Sequence, residues 1–187
     1  MNAEADENHH DDPQDSRDTE RLAADEGDQQ LLGASVHAEL LRRRATLATA
    51  ESLTGGALGD LLSASPGASE TYLGGVVSYA TEVKTRLLGV RQSTVDEHGV
   101  VSAECAREMA ERVRDLLGTD WGVSTTGVAG PTEQEGKPVG TVFVAVAGPD
   151  GTRHGELGLD GDRAEIRQRS CVSAAKLMLE ALVEEPA

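Results

Sequence analysis

The chain is nearly devoid of aromatic residues: Trp121, Tyr72, Tyr79 and Phe143 are the only four in 187 positions. With 38% apolar residues a core can still form, but Val, Leu and Ala must build it. Cysteine is equally scarce. Cys105 and Cys171 are too few for a disulfide scaffold and read as small buried residues in a reducing compartment. No apolar run reaches ~18 residues, the length of a membrane span. The opening MNAEADENHHDD lacks the basic and apolar segments of a secretory signal. Positive charge is short too, with 17 Lys+Arg against 33 Asp+Glu and a formal net charge of −16. That balance argues against a protein held on nucleic acid by phosphate neutralisation, which needs many cationic contacts. The expectation is a soluble, acidic, cytoplasmic protein without nucleic-acid or membrane partners. Lysine is the rarest charged residue, with only Lys84, Lys137 and Lys176 beside 14 Arg. Dense carboxylates with little lysine suit a surface kept hydrated at high salt.

A mass of 19.6 kDa fits one domain plus a tail. Residues 1–30 hold 11 acids against Arg17 and Arg21, a net charge of −9, which leaves −7 on the rest. Apolar residues there are sparse and aperiodic, so nothing offsets the ordering entropy and a disordered acidic tail is expected. His9 and His10 within it read as solvated rather than as a metal site. From residue 31 to 187 the pattern is that of a folded domain. LLGASVHAELLRRR (31–44) reads as a helix with Arg42, Arg43 and Arg44 at its negative end. TLATA (46–50) and LGGVVSYA (73–80) read as strands, with helices over ALGDLLSAS and around EVKTRLLG. SAECAREMAERVRDLLG (102–118) is the clearest helix. Ser102 can cap it, Gly118 ends it, and Ala103, Ala106, Met109, Ala110, Val113, Leu116 and Leu117 share one face. WGVSTT (121–126) and VGTVFVAVAG (139–148) are further strands, the second joined to TRHGELGL through the turn Pro149-Asp150-Gly151. Asp162 and Glu165 form a capping-box start for a last helix whose Ile166, Ala174, Leu177 and Leu182 face the core. Strands alternating with helices, plus one hairpin, predict a three-layer α/β/α sandwich with a mixed sheet.

Two loops rich in small residues leave predicted strand ends, Glu51-Ser52-Leu53-Thr54-Gly55-Gly56 and Thr126-Gly127-Val128-Ala129-Gly130-Pro131. Ligands of open α/β sheets bind beside such loops, although each is equally a tight turn. Neither G-x-G-x-x-G nor G-x-x-x-x-G-K-[ST] is present, so no motif supports dinucleotide or P-loop binding. Ser52 is the candidate nucleophile, placed where backbone N–H groups around Gly55 and Gly56 could steady an oxyanion; alternatively Ser52 or Thr54 only caps the helix. His37, His98 and His154 lie outside both loops. Lys84 is the better base, because a partly buried lysine can lose its charge whereas an arginine cannot; the plainer reading is a solvated surface charge. Tyr79, five residues earlier, is either a core residue with a wetted hydroxyl or a group that orients the Ser–Lys pair. Arg163, Arg167 and Arg169, with Lys137, are candidate phosphate clamps or partners in salt bridges.

AESLTGG (50–56), PGASETYLGGVVSYATEVKTRLLGV (66–90), EHGVVS (97–102), TTGVAGP (125–131), KPVGTVFVA (137–145) and GDRAEIRQR (161–169) together resemble the CinA C-terminal domain family, the nicotinamide-nucleotide amidases also called PncC. The blocks keep the family's order across residues 33–183. The resemblance implies a compact α/β domain that hydrolyses the carboxamide of nicotinamide mononucleotide to nicotinic acid mononucleotide and ammonia. Carried over by motif, Ser52 is the nucleophile, and Tyr79 and Lys84 activate it. Thr126 with the glycines that follow it, Gly127 and Gly130, helps form the oxyanion and substrate pocket, and the arginines of the last block, Arg163, Arg167 and Arg169, hold phosphate; Thr54, Gly55, Gly56 and Lys137 are further candidate substrate-binding residues. No metal or organic cofactor is implied; the partner is a small-molecule nucleotide. Small α/β enzymes are commonly dimers, so a homodimer or higher homo-oligomer is expected, with LGGVVSYA near the contact. Two departures stand out: an acidic tail replaces the larger N-terminal domain of many members, and TEQEG replaces a stretch that is often glycine-rich.

Overall fold

Strands built largely from small and β-branched residues can be buried on both faces, and the central strands of this sheet are of that kind. In the computed structural model, which describes residues 13–184, the strands are β1 (Leu47–Glu51), β2 (Tyr72–Val77), β3 (Trp121–Gly127), β4 (Thr141–Gly148) and β5 (Gly151–Gly158). They form one sheet in the order β2-β1-β3-β4-β5, with β1 parallel to β2 and β3, and β3-β4 and β4-β5 antiparallel. Six α-helices accompany them among the described residues: α1 (Pro13–Arg43), α2 (Ala57–Ser63), α3 (Thr81–Arg86), α4 (Gln92–His98), α5 (Ala103–Leu117) and α6 (Arg163–Glu184). The mixed α/β/α sandwich is the architecture expected.

Side-chain alternation separates two cores. Leu47, Val123, Val142, Val144 and Val146 pack with Val36 and Leu40 of α1, Leu58 and Leu62 of α2, and Ile166 and Met178 of α6. On the other face Ala48, Ala50, Ala145 and Ala147 meet Cys105, Ala106, Met109, Ala110 and Val113 of α5. The alanine face lets α5 lie close. At Gly122 a Cβ would fall 2.1 Å from the Ala110 carbonyl oxygen, so only glycine fits beneath the helix. Both cysteines are buried, which pushes the Cys105 thiol up to about 11 and the Cys171 thiol up to about 12.

The helix ends follow their capping residues. Ser102 Oγ accepts from Cys105 N at 3.1 Å, and Gly118 closes α5 in the left-handed region at φ 64°. At α6, Asp162 Oδ1 accepts from Glu165 N at 2.9 Å while Glu165 Oε2 accepts from Asp162 N at 2.9 Å.

Three features depart from the sequence reading. The acidic segment expected to be disordered over residues 1–30 is helical from Pro13 onward, while residues 1–12, with His9 and His10, lie outside the described residues. Extending a helix already packed through Val36 and Leu40 avoids the cost of nucleation. The Ala, Glu, Gln and Arg residues of 13–30 are good helix formers, and proline suits the first helical position. Leu116, assigned to the core face of α5, is 51% exposed. Helix α4 stands where no helix was drawn, held by Glu108, which accepts from Arg91 N at 3.1 Å and from Thr94 Oγ1 at 2.6 Å.

Candidate active site

The carboxyl end of β1 carries Glu51 and Ser52, and each is fixed by its neighbours. Ser52 N donates to Thr125 O of β3 at 2.9 Å, and Ser78 N, just beyond β2, donates to Glu51 O at 2.7 Å. Ser52 and Ser78 are therefore held by adjacent parallel strands. Short helix α3 sends Lys84 inward. It is 1% exposed, and its Nζ donates to Ser52 Oγ at 2.9 Å and to Ser78 O at 2.6 Å. Burial lowers the Lys84 pKa, against the opposing influence of Cys105 and Glu135. An amine that is easier to deprotonate than ordinary lysine, in contact with a serine hydroxyl, is the arrangement needed for general-base activation of a nucleophile.

Ser52 and Lys84 open into a cavity of about 360 Å³. Tyr79, Thr81, Val100, Val101, the second loop from Thr126 to Gly130, and Arg163 complete much of its wall. Among the described residues, no group accepts from the N–H of Ala129 or Gly130. Ser173 and Lys176 line a larger groove of about 760 Å³ on α6, but Lys176 there is exposed.

The structure brings together part of the expected site and gives the rest other work. Ser52, Lys84, Tyr79, Thr126, Gly127, Gly130 and Arg163 share the cavity. The Thr126 hydroxyl, however, donates to Val100 O at 2.6 Å, bracing the cavity wall. Tyr79 OH is taken by Arg163 Nη2 at 2.6 Å rather than by the Ser–Lys pair, and Arg163 Nη1 donates to Gly130 O at 2.6 Å. Thr54, Gly55 and Gly56 lie outside the cavity lining.

The reason is Glu51, a buried residue that the sequence reading passed over. Its Oε2 accepts from Thr54 Oγ1 at 2.7 Å, Gly56 N at 2.9 Å and Leu58 N at 3.1 Å, and its Oε1 accepts from Gly59 N at 2.8 Å. The N–H groups assigned to an oxyanion are thus already occupied at the start of α2. A carboxyl placed where a strand ends and a helix begins was the signal available in the sequence. Gly55 and Gly56 remain necessary for their backbone, with φ 61° and 104°.

Three of the proposed phosphate clamps are also occupied elsewhere. Arg167 donates from Nε to Leu53 O at 3.0 Å and from Nη2 to Thr54 O at 2.7 Å, so it holds the first loop. Arg169 donates to Asp160 O at 3.1 Å. Lys137 Nζ donates to Val101 O and sits 5.9 Å from the centre of the Phe143 ring. Arg163 is the cation that lines the cavity beside the buried lysine. Ser78, Thr81, Glu133 and Gln134 belong to the site without having been anticipated.

Comparison with known proteins gives the family and the fold. The CinA C-terminal domain model matches residues 29–182. The chain belongs to the CinA C-terminal domain family. A CinA-like protein of Frankia casuarinae is 50% identical over 147 residues, covering 79% of this chain and 34% of the relative. One from Gloeobacter violaceus is 47% identical over 156 residues, covering 81% and 36%. The chain therefore spans about a third of the length of these CinA-like relatives. Among solved structures, the competence damage-inducible protein A of Klebsiella pneumoniae superposes with a TM-score of 0.82 at 33% identity, covering 84% of this chain and 99% of that one. A competence/damage inducible protein of Agrobacterium tumefaciens gives 0.79 at 32% identity, covering 84% and 96%. The CinA fold is thus shared over nearly the whole of each of those chains.

Proposed function

We propose that this CinA-family domain is a nicotinamide-nucleotide amidase, which hydrolyses the carboxamide of nicotinamide mononucleotide to nicotinic acid mononucleotide and ammonia. The observation that carries the reading is the 2.9 Å hydrogen bond between a buried Lys84 amine and Ser52 Oγ. Neutral Lys84 takes the hydroxyl proton as Ser52 Oγ attacks the carboxamide carbon. Charge develops on the amide oxygen, and the unoccupied N–H groups of Ala129 and Gly130 on the cavity wall are suited to receive it. The lysine proton passes to the amide nitrogen, the C–N bond breaks and ammonia leaves an acyl-Ser52. Water then attacks that ester, giving its proton to Lys84, which returns it to Ser52 Oγ. Ser78 O orients the amine throughout, so Lys84 does not depend on substrate for its position. Arg163 is the cation available for the nucleotide phosphate.

Ammonia release from nicotinamide mononucleotide tests this directly. Wild type should turn over, and Ser52→Ala and Lys84→Met should each lose at least about 10³-fold, without adding when combined, because the two groups act as a unit. Binding of the nucleotide with no turnover in any of the proteins would identify a binding module instead.

A further inference from the structure

Four titratable side chains line the Ser52 cavity: Tyr79, Lys84, Glu133 and Arg163. Three are engaged. Lys84 holds Ser52 and Ser78, and Arg163 spans Tyr79 OH and Gly130 O. Glu133 lines the cavity, is exposed, and has neither a hydrogen bond nor an ion pair among the described residues. Its loop is nevertheless held just after it. Gln134 and Lys137 exchange backbone hydrogen bonds at 2.9 and 3.2 Å, and Glu135 accepts from Val100 N and Val101 N at 3.1 Å each. A fixed loop thus presents one uncommitted carboxylate to a space that already contains a guanidinium. The cavity carries a charge of each sign.

We propose that Glu133 selects a positively charged heteroaromatic ring, so that the site takes pyridinium carboxamides in preference to uncharged ones; this rests on the amidase reading above. In a space of about 360 Å³ a ring whose carboxamide reaches Ser52 must lie near the cavity wall. A neutral Lys84 places no cation against that ring, and Glu133 supplies the attraction. The nucleotide is itself dipolar, with a cationic ring and an anionic phosphate, which matches a wall bearing Glu133 and Arg163. Because Glu133 is open to solvent, the effect is modest: unit charges in contact through a water-like medium change affinity by about fivefold.

The test compares nicotinamide mononucleotide with its reduced form, which keeps the phosphate, ribose and carboxamide but has an uncharged ring. Affinities are measured by calorimetry on the full chain carrying Ser52→Ala, with and without Glu133→Gln. Glu133→Gln should weaken the oxidised nucleotide by about fivefold and leave the reduced one unchanged. Equal weakening of both, no weakening of either, or no binding of either would overturn the proposal. The two readings fail separately. Ring-charge discrimination without ammonia release from the unmutated chain would sink the amidase and keep Glu133; ammonia release without discrimination would do the reverse.

Discussion

Lys84 shows how one side chain changes character with its surroundings. Burial disfavours its charged form, so the pKa falls below the ordinary lysine value of 10.5. The proposed reaction needs the neutral amine, so kcat/KM should rise with pH through the lowered value, and this acid limb should vanish in Lys84→Met along with activity. Stability follows the same shift. Between the folded and unfolded pKa values the unfolded chain binds the extra proton, so stability increases as pH rises across that window and is lost as pH falls through the folded value. Denaturant unfolding of wild type and Lys84→Met at several alkaline pH values would show the slope in wild type and its absence in the variant. The identities of Ser52 and Lys84 were legible in the sequence because both stand in motif blocks. Their distance was not, since 32 residues separate them and only the pairing of β1 with β2 brings them together.

At the scale of elements, hydrophobic alternation and caps foretold most of the fold. Ser102, Gly118, Asp162 and Glu165 mark their helix ends in the sequence as in the structure. What pattern reading cannot supply is which acceptor fills a given set of backbone donors. Gly55 and Gly56 announced a helix start open to an anion, and the anion turned out to be internal, from Glu51. Arg167 likewise had the chemistry of a phosphate ligand and spends it on Leu53 O and Thr54 O. Glu51→Ala should therefore act on the fold first. It leaves Gly56, Leu58 and Gly59 N–H without their acceptor, at roughly 1–3 kcal/mol for each buried donor. Urea unfolding should show a loss of at least about 3 kcal/mol, with Glu51→Gln intermediate because one amide oxygen can keep some of these contacts.

Across the whole molecule, excess negative charge opposes folding. A net −16 on 187 residues makes compaction work against self-repulsion, which ions screen over about 10 Å at 0.1 M salt. The thermal midpoint should climb by several degrees between low salt and 1 M KCl, as followed by circular dichroism, and the rise should shrink when surface acids are replaced by amides. The same repulsion bears on α1, whose acidic N-terminal turns continue a helix that Val36 and Leu40 pack into the core. The central sheet is the opposite case. Glu51 and Ser78 are joined backbone to backbone, Ser52 is tied to Thr125, and the lysine grips the Ser78 carbonyl. Heating should consequently extinguish turnover and melt the domain in a single step, because the reacting atoms have no hinge of their own on which to part company.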